Sequence, residues 1–164
     1  MERAARAIDD AVDLIGRVAA WFCFGLVLVM AGNVLARYGF SAGTVWAQEL
    51  EWHLMSPIAL IGMSYALRHG EHVRVDVLYA RFAPRTQAVV DILSAFAAIV
   101  VAALIIHFSM RYVGQSFAQG EGSANPGGIP YRWALKALIP VGFALLALQS
   151  LASLLHAAIR LRTA

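Results

Sequence analysis

Residues 46–76 read WAQELEWHLMSPIALIGMSYALRHGEHVRVD, and the order of charge and apolarity along them decides the fold. A polar head containing Gln48, Glu49 and Glu51 leads into an apolar run from roughly Leu54 to Leu67, which stops at Arg68-His69-Gly70-Glu71-His72-Val73-Arg74. A bilayer imposes this order on a spanning helix, because its hydrocarbon core accepts neither an unpaired charge nor an unsatisfied backbone group. Pro57 lies inside the run and has no N–H, so the carbonyl of His53 one turn earlier loses its usual donor. A freed carbonyl near a membrane face has to be met by a neighbouring helix, a side chain or water. The segment is therefore expected to sit among other helices.

Composition extends this reading to the whole chain. Of 164 residues, 60% are hydrophobic and 14% charged, whereas a soluble domain carries about 25% charged residues. Most of the chain is expected to face lipid or other membrane protein, and its length suits one domain over residues 1–164. The excess of 13 Lys+Arg over 10 Asp+Glu is small. In a membrane protein it sets orientation, and no nucleic-acid partner is expected. The single Cys23 cannot form an internal disulfide. At the start, Arg3, Arg6 and Arg17 are mixed with Glu2, Asp9, Asp10 and Asp13, unlike the short positive head of a signal peptide. Ile8, Val12, Ile15 and Ala19 recur at helical spacing, which predicts an amphipathic helix over about Ala4–Arg17, lying on the membrane surface and leading into the first span.

The fold class expected is an all-α membrane protein with four transmembrane helices, at about 18–36, 50–67, 88–110 and 134–157. Gly25 and Gly32 share a face of the first, and Ser94, Ala98 and Ala102 form a small-residue row on the third, both suited to close helix approach. Asn33 is expected to make an interhelical hydrogen bond. Asp76 is placed to cap a short helix in the link after Arg68. The stretch from Gly120 to Pro130 is turn chemistry, and Pro140 interrupts the fourth span. Four spans put both termini on one side with nine basic residues, Arg3, Arg6, Arg17, Arg68, Arg74, Arg81, Arg85, Arg160 and Arg162. The other side has four, Arg37, Arg111, Arg132 and Lys136, so both termini are expected in the cytoplasm.

No span carries Asp, Glu, Lys or Arg near its middle. That argues against a self-sufficient proton-coupled transporter, which needs a buried carboxylate to cycle. Glu49, Glu51, Arg37, Arg132 and Lys136 instead converge at the outer level, and a pinning network is expected there, with Glu49 paired to Lys136 and beside Trp46 and Trp133. His53 and His107 could hold a haem axially, so a haem- or quinone-binding anchor of a redox enzyme is the alternative reading. An interfacial hydrogen-bonded histidine is the simpler account. His69 and His72 with Glu71 lack a fourth ligand, so no metal site is expected. No catalytic set and no cofactor site is visible.

The order Trp46-Ala47-Gln48-Glu49-Leu50, Gly62, Arg68, His72-Val73-Arg74-Val75-Asp76, then Gly122-Ser123, Asn125-Pro126-Gly127-Gly128-Ile129-Pro130-Tyr131-Arg132-Trp133, Lys136, Pro140-Val141-Gly142-Phe143 and Gln149 resembles the small membrane subunit of tripartite ATP-independent periplasmic (TRAP) transporters, the DctQ-like subunit. The resemblance covers about Ile8 to His156 and departs at Gln48, where many relatives have a second glutamate. The last block is similar to the branch linked to 2-oxo acids and other monocarboxylates. The resemblance implies a bacterial inner-membrane subunit of a sodium-driven transporter for organic acid anions, dicarboxylate or monocarboxylate. Its partners would be a large permease subunit, which it scaffolds, a periplasmic solute-binding protein, which it helps dock, and membrane lipid. The residues singled out for subunit contact or structural pinning are Gly32, Trp46, Glu49, His53, Pro57, Arg68, His72, Asp76, Arg132 and Lys136.

Overall fold

The computed structural model describes residues 2–71 and 79–163. Among the described residues the chain forms four long helices and no strand: α1 (Glu2–Phe40), α2 (Val45–His69), α3 (Pro84–Ala118) and α4 (Arg132–Thr163). Thr44 caps α2 by accepting the Ala47 N–H at 3.3 Å, and Pro84 opens α3 where its missing N–H costs nothing. Three helices, α1, α3 and α4, are long and apolar enough to cross a bilayer. The fourth, α2, has 25 residues with Pro57 inside it, a length of about 38 Å. Its apolar part is shorter because Glu49 and Glu51 occupy its first turns. The chain is a multi-pass all-α membrane protein.

Contacts between helix ends fix an up-down-up-down arrangement. The start of α1 meets the ends of α2 and α4 through Asp13–His69 and Asp9–His156. Asp91 near the start of α3 meets Arg160 at the end of α4. At the other end, Glu49 on α2 meets the loop between α3 and α4. We call these the terminal end and the loop end. Within the bundle α4 is central: it packs on α1, α2 and α3, while α3 rests chiefly on α4.

The packed interior is made of small residues. Among the described residues the buried hydrophobic side chains are Ala and Val, including Ala5, Ala19, Ala102, Ala152 and Ala157, together with Pro57, whereas Trp21, Phe24, Leu28, Phe96, Leu104 and Phe108 point outward. A water-soluble protein buries its large apolar side chains. In lipid no hydrophobic force drives helices together, and close backbone approach of small residues takes its place. On α3 the buried stripe is Ala88, Ala95, Ala102, Ser109 and Ser116, a strict seven-residue repeat of the kind that keeps one seam against a partner helix. This corrects the expected row: Ala102 belongs to the seam, but Ser94 is exposed and Ala98 is half-buried. A four-residue spacing drifts around a helix, and a seven-residue spacing drifts much less. The backbones of α4 and α2 approach closely at Gly142, where an added Cβ would lie 2.8 Å from the Leu60 carbonyl oxygen.

The N-terminal segment runs into the first span without a break, as expected. One face of it packs into the bundle. Ala5, Val12, Asp13, Gly16 and Ala19 are buried, and the Tyr65 side chain covers Gly16. The 39 residues of α1 span about 58 Å, nearly twice the hydrocarbon thickness of about 30 Å, so half of the helix serves to clasp the ends of α2 and α4.

Candidate functional site

The loop end is organised around Glu49. Its position in the first turns of α2 aims it across the bundle at residues 119–131, and its side chain is 2% exposed. Ser123 Oγ–H donates to Oε1, and the Asn125 side-chain amide donates to the same oxygen at 3.3 Å. Ile129 N–H donates to Oε2 at 2.7 Å. The Arg132 guanidinium lies 3.8 Å away. A buried carboxylate needs this many donors, because an unpaired buried charge is very costly. Donation by Ser123 and Ile129 holds the Glu49 carboxyl below the ordinary glutamate range, with burial opposing and Asn125 and Arg132 assisting. Gly128 makes room for this: a Cβ there would come 2.6 Å from Glu49 Oε2. The loop is closed by Arg132 N–H donating to the Glu121 carbonyl at 3.0 Å, just after Tyr131, whose φ of 64° is seldom adopted by a bulky residue.

The expected outer network exists in parts, with one pair corrected. Lys136 does not pair with Glu49. Its ammonium is hydrogen-bonded to Glu121 Oε2 and lies 3.9 Å over the Tyr112 ring. Lys136 is therefore neutralised from the loop, because Glu121 sits directly outside the first turn of α4 while Glu49 is already saturated by nearer donors. The hydrogen bond from Lys136 holds the Glu121 carboxyl below its ordinary value. Glu51 accepts from Asn33 at 3.0 Å, the interhelical bond expected of Asn33. Arg37 lies exposed at the end of α1. Trp46 is half exposed, and Trp133 packs edge-on against Phe117 with ring centroids 5.3 Å apart.

His53 Nδ1–H donates to the Glu49 carbonyl on its own helix at 2.7 Å, while its Nε2 is buried with no partner among the described residues. His107 is exposed on α3 and packs against its neighbour Phe108. The structure does not bring these two histidines together as an axial pair. Pro57 is buried in α2. Gly32 faces open space, with nothing within 4 Å of an added Cβ.

A second polar cluster, at the terminal end, is built on Arg68. Its guanidinium lies 3.5 Å from both Asp9 and Asp13. Asp9 also accepts from Gln149 Nε2 at 2.9 Å and pairs with His156 at 2.9 Å. Asp91 accepts from Tyr79 O–H at 2.8 Å and from Arg160 at 2.7 Å. His72 and Asp76 lie outside the described residues. Sequence reading singled out Arg68 but missed Asp9, Asp13 and His156. The available signal was the i,i+4 spacing of the two aspartates on the same face as Val12. Ser123 and Glu121 were missed because turn residues gave no hint of which carboxylate they would close upon.

Buried polar clasps at both ends, small-residue seams between helices and large apolar side chains outside define a multi-pass helical membrane protein. Residues 26–160 match the family described as "Tripartite ATP-independent periplasmic transporters, DctQ component", and the chain belongs to it. It is similar to the "Ectoine TRAP transporter small permease protein TeaB" of Halomonas elongata, 29% identical over 76% of this chain and 66% of the relative. It is also similar to the "C4-dicarboxylate TRAP transporter small permease protein DctQ" of Pseudomonas aeruginosa, 29% identical over 61% of this chain and 48% of the relative. A third relative is the "Sialic acid TRAP transporter permease protein SiaT" of Haemophilus influenzae, 26% identical over 67% of this chain but only 17% of that protein. The matches thus span two thirds or less of these relatives' own length.

Proposed function

We propose that the chain scaffolds a large permease subunit and helps dock a periplasmic solute-binding protein, in a sodium-driven transporter of organic acid anions. The observation that carries this reading is the Glu49 clasp. It gives the loop end a shaped, rigid surface with Asn125, Pro126 and Tyr131 exposed, as a docking platform needs. A long permease of which only 17% resembles this chain supports a large partner in the membrane. Sodium coupling and an organic acid cargo rest on the family resemblance, and the relatives named for ectoine and C4-dicarboxylate differ in their cargo.

The partner face follows from the first helix. Gly32 is exposed, and an added Cβ there would meet nothing within 4 Å among the described residues, beside outward Leu28 and Leu35. Replacing Gly32 with leucine should reduce co-purification with the large subunit, because small residues let helices approach closely in lipid. Unchanged co-purification would remove this face as the interface. Orientation is tested separately. With nine basic residues on the side of both termini, a reporter fused after Ala164 should be active only in its cytoplasmic form. Activity of a periplasmic reporter there would invert the arrangement.

A further inference from the structure

Because α3 rests chiefly on α4, a gap opens at the terminal end between α3 and the α1–α2 pair, with α4 as its floor. It forms a cleft of about 880 Å³. Among the described residues its rim sets Arg68 and Arg160 against Asp9 and Asp91, with Asp13 a further 3.5 Å from Arg68. Its wall on α3, formed by Val90, Ser94, Ala95 and Ala98, is mostly apolar and belongs to a helix able to cross a bilayer. Among the described residues, three that line the cleft carry a buried polar atom with no hydrogen-bond partner there: Arg68 Nε, Gln149 Oε1 and Ser150 Oγ. Gln149 is 2% exposed and Ser150 is fully buried. Gln149 spends its amide N–H on Asp9, so the group left over is an acceptor. Arg68 Nε lies 3.5 Å from Asp13 Oδ1, within ion-pair range but without a hydrogen bond. Native proteins seldom leave such groups unpaired, and each one points to a partner. The set offers two donors and one acceptor in a pocket that is polar at its rim and mostly apolar along one wall.

We propose that this cleft holds the headgroup of one phospholipid bearing both a phosphate and a primary ammonium, a phosphatidylethanolamine. The phosphate accepts from Arg68 and Ser150, the ammonium donates to Gln149 Oε1, and the acyl chains leave along Val90, Ala95 and Ala98. Both described arginines at the rim already face carboxylates, so no spare positive charge awaits an anion, which fits a zwitterion. An anionic headgroup or free phosphate would bring an uncompensated charge into a partly buried site. The need for an N–H donor opposite Gln149 separates the primary ammonium from the trimethylated one of phosphatidylcholine, which has no N–H to give.

The test is native mass spectrometry of the full chain, stripped of lipid in detergent and titrated with phosphatidylethanolamine, phosphatidylcholine, phosphatidylglycerol and inorganic phosphate. One phosphatidylethanolamine should bind with about tenfold preference over phosphatidylcholine, the worth of one charge-assisted hydrogen bond. Ser150→Ala removes a hydroxyl without changing the helix and should weaken that binding, as should Gln149→Met. Ser109→Ala, a buried serine on α3 outside the cleft, should not, and thermal melts should show each variant folded. Equal binding of the two zwitterionic lipids, stronger binding of phosphatidylglycerol or inorganic phosphate, or no response to Ser150→Ala in a folded protein would overturn the proposal.

Discussion

Replacing Glu49 with glutamine is expected to unfasten the loop between α3 and α4. The carboxylate accepts from Ser123 and Asn125 on one oxygen and from Ile129 N–H on the other, with Arg132 nearby. An amide offers one oxygen and one NH₂ group. Whichever way it is turned, one set of donors then faces another donor, and Arg132 loses its counter-charge. Amide exchange across residues 123–129 should accelerate by on the order of tenfold or more, as a segment passes from clasped to locally open. Transport by the assembled complex should fall through weaker subunit assembly, while the binding protein's own substrate affinity stays unchanged. Unaltered exchange at Ile129 would show that the clasp does not hold the loop.

The same carboxylate gives the loop a pH signature. Its folded value is held below the ordinary 4.5, and that of Glu121 likewise. Their stabilisation is therefore full above the ordinary carboxylate range and is lost as pH falls through the depressed folded values. Loop protection, corrected for intrinsic exchange, should be flat from about pH 7 down to the ordinary carboxylate range and fall away below it. In the Glu49→Gln protein only the Glu121 part of that acid step should remain. A loss of protection on raising the pH from neutral would contradict the assignment.

The second large effect is expected at Gly142. An added methyl group would lie 2.7 Å from Leu60 Cβ and 2.8 Å from the Leu60 carbonyl oxygen. Backbone cannot swing aside as a side chain can, so α2 and α4 must separate. Gly142→Ala should cost about 1–3 kcal/mol, the usual penalty of overpacking, read as a lower thermal midpoint in detergent or lipid. Gly62→Ala, where nothing lies within 4 Å, should leave the midpoint unlowered, since alanine favours the helix. A Gly142→Ala protein as stable as its parent would mean that the two helices are not in backbone contact.

Most of the frame was legible because the bilayer writes it along the chain. Arg37, Arg68 and Arg111 mark where apolar runs stop, and composition alone places the chain in a membrane. Asn33 was readable as an interhelical donor because a polar side chain near a span end has few other uses. What the sequence leaves open is pairing between distant segments. Lys136 and Glu49 lie at one depth, yet which carboxylate serves which cation depends on the path of residues 119–131, and the nearer Glu121 takes the lysine. The clasp of α1 on α2 and α4 was hidden for a related reason. Asp9 and Asp13 look like solvated charges until Arg68, His69 and His156 are brought beside them.

Uptake into proteoliposomes tests the central claim most directly. The large permease subunit, the binding protein and this chain should be reconstituted together with an inward sodium gradient and an organic acid anion, and then again with each omitted. Scaffolding predicts uptake only when all three are present, with no transport by this chain alone. Undiminished uptake without this chain, or uptake by this chain by itself, would contradict the account.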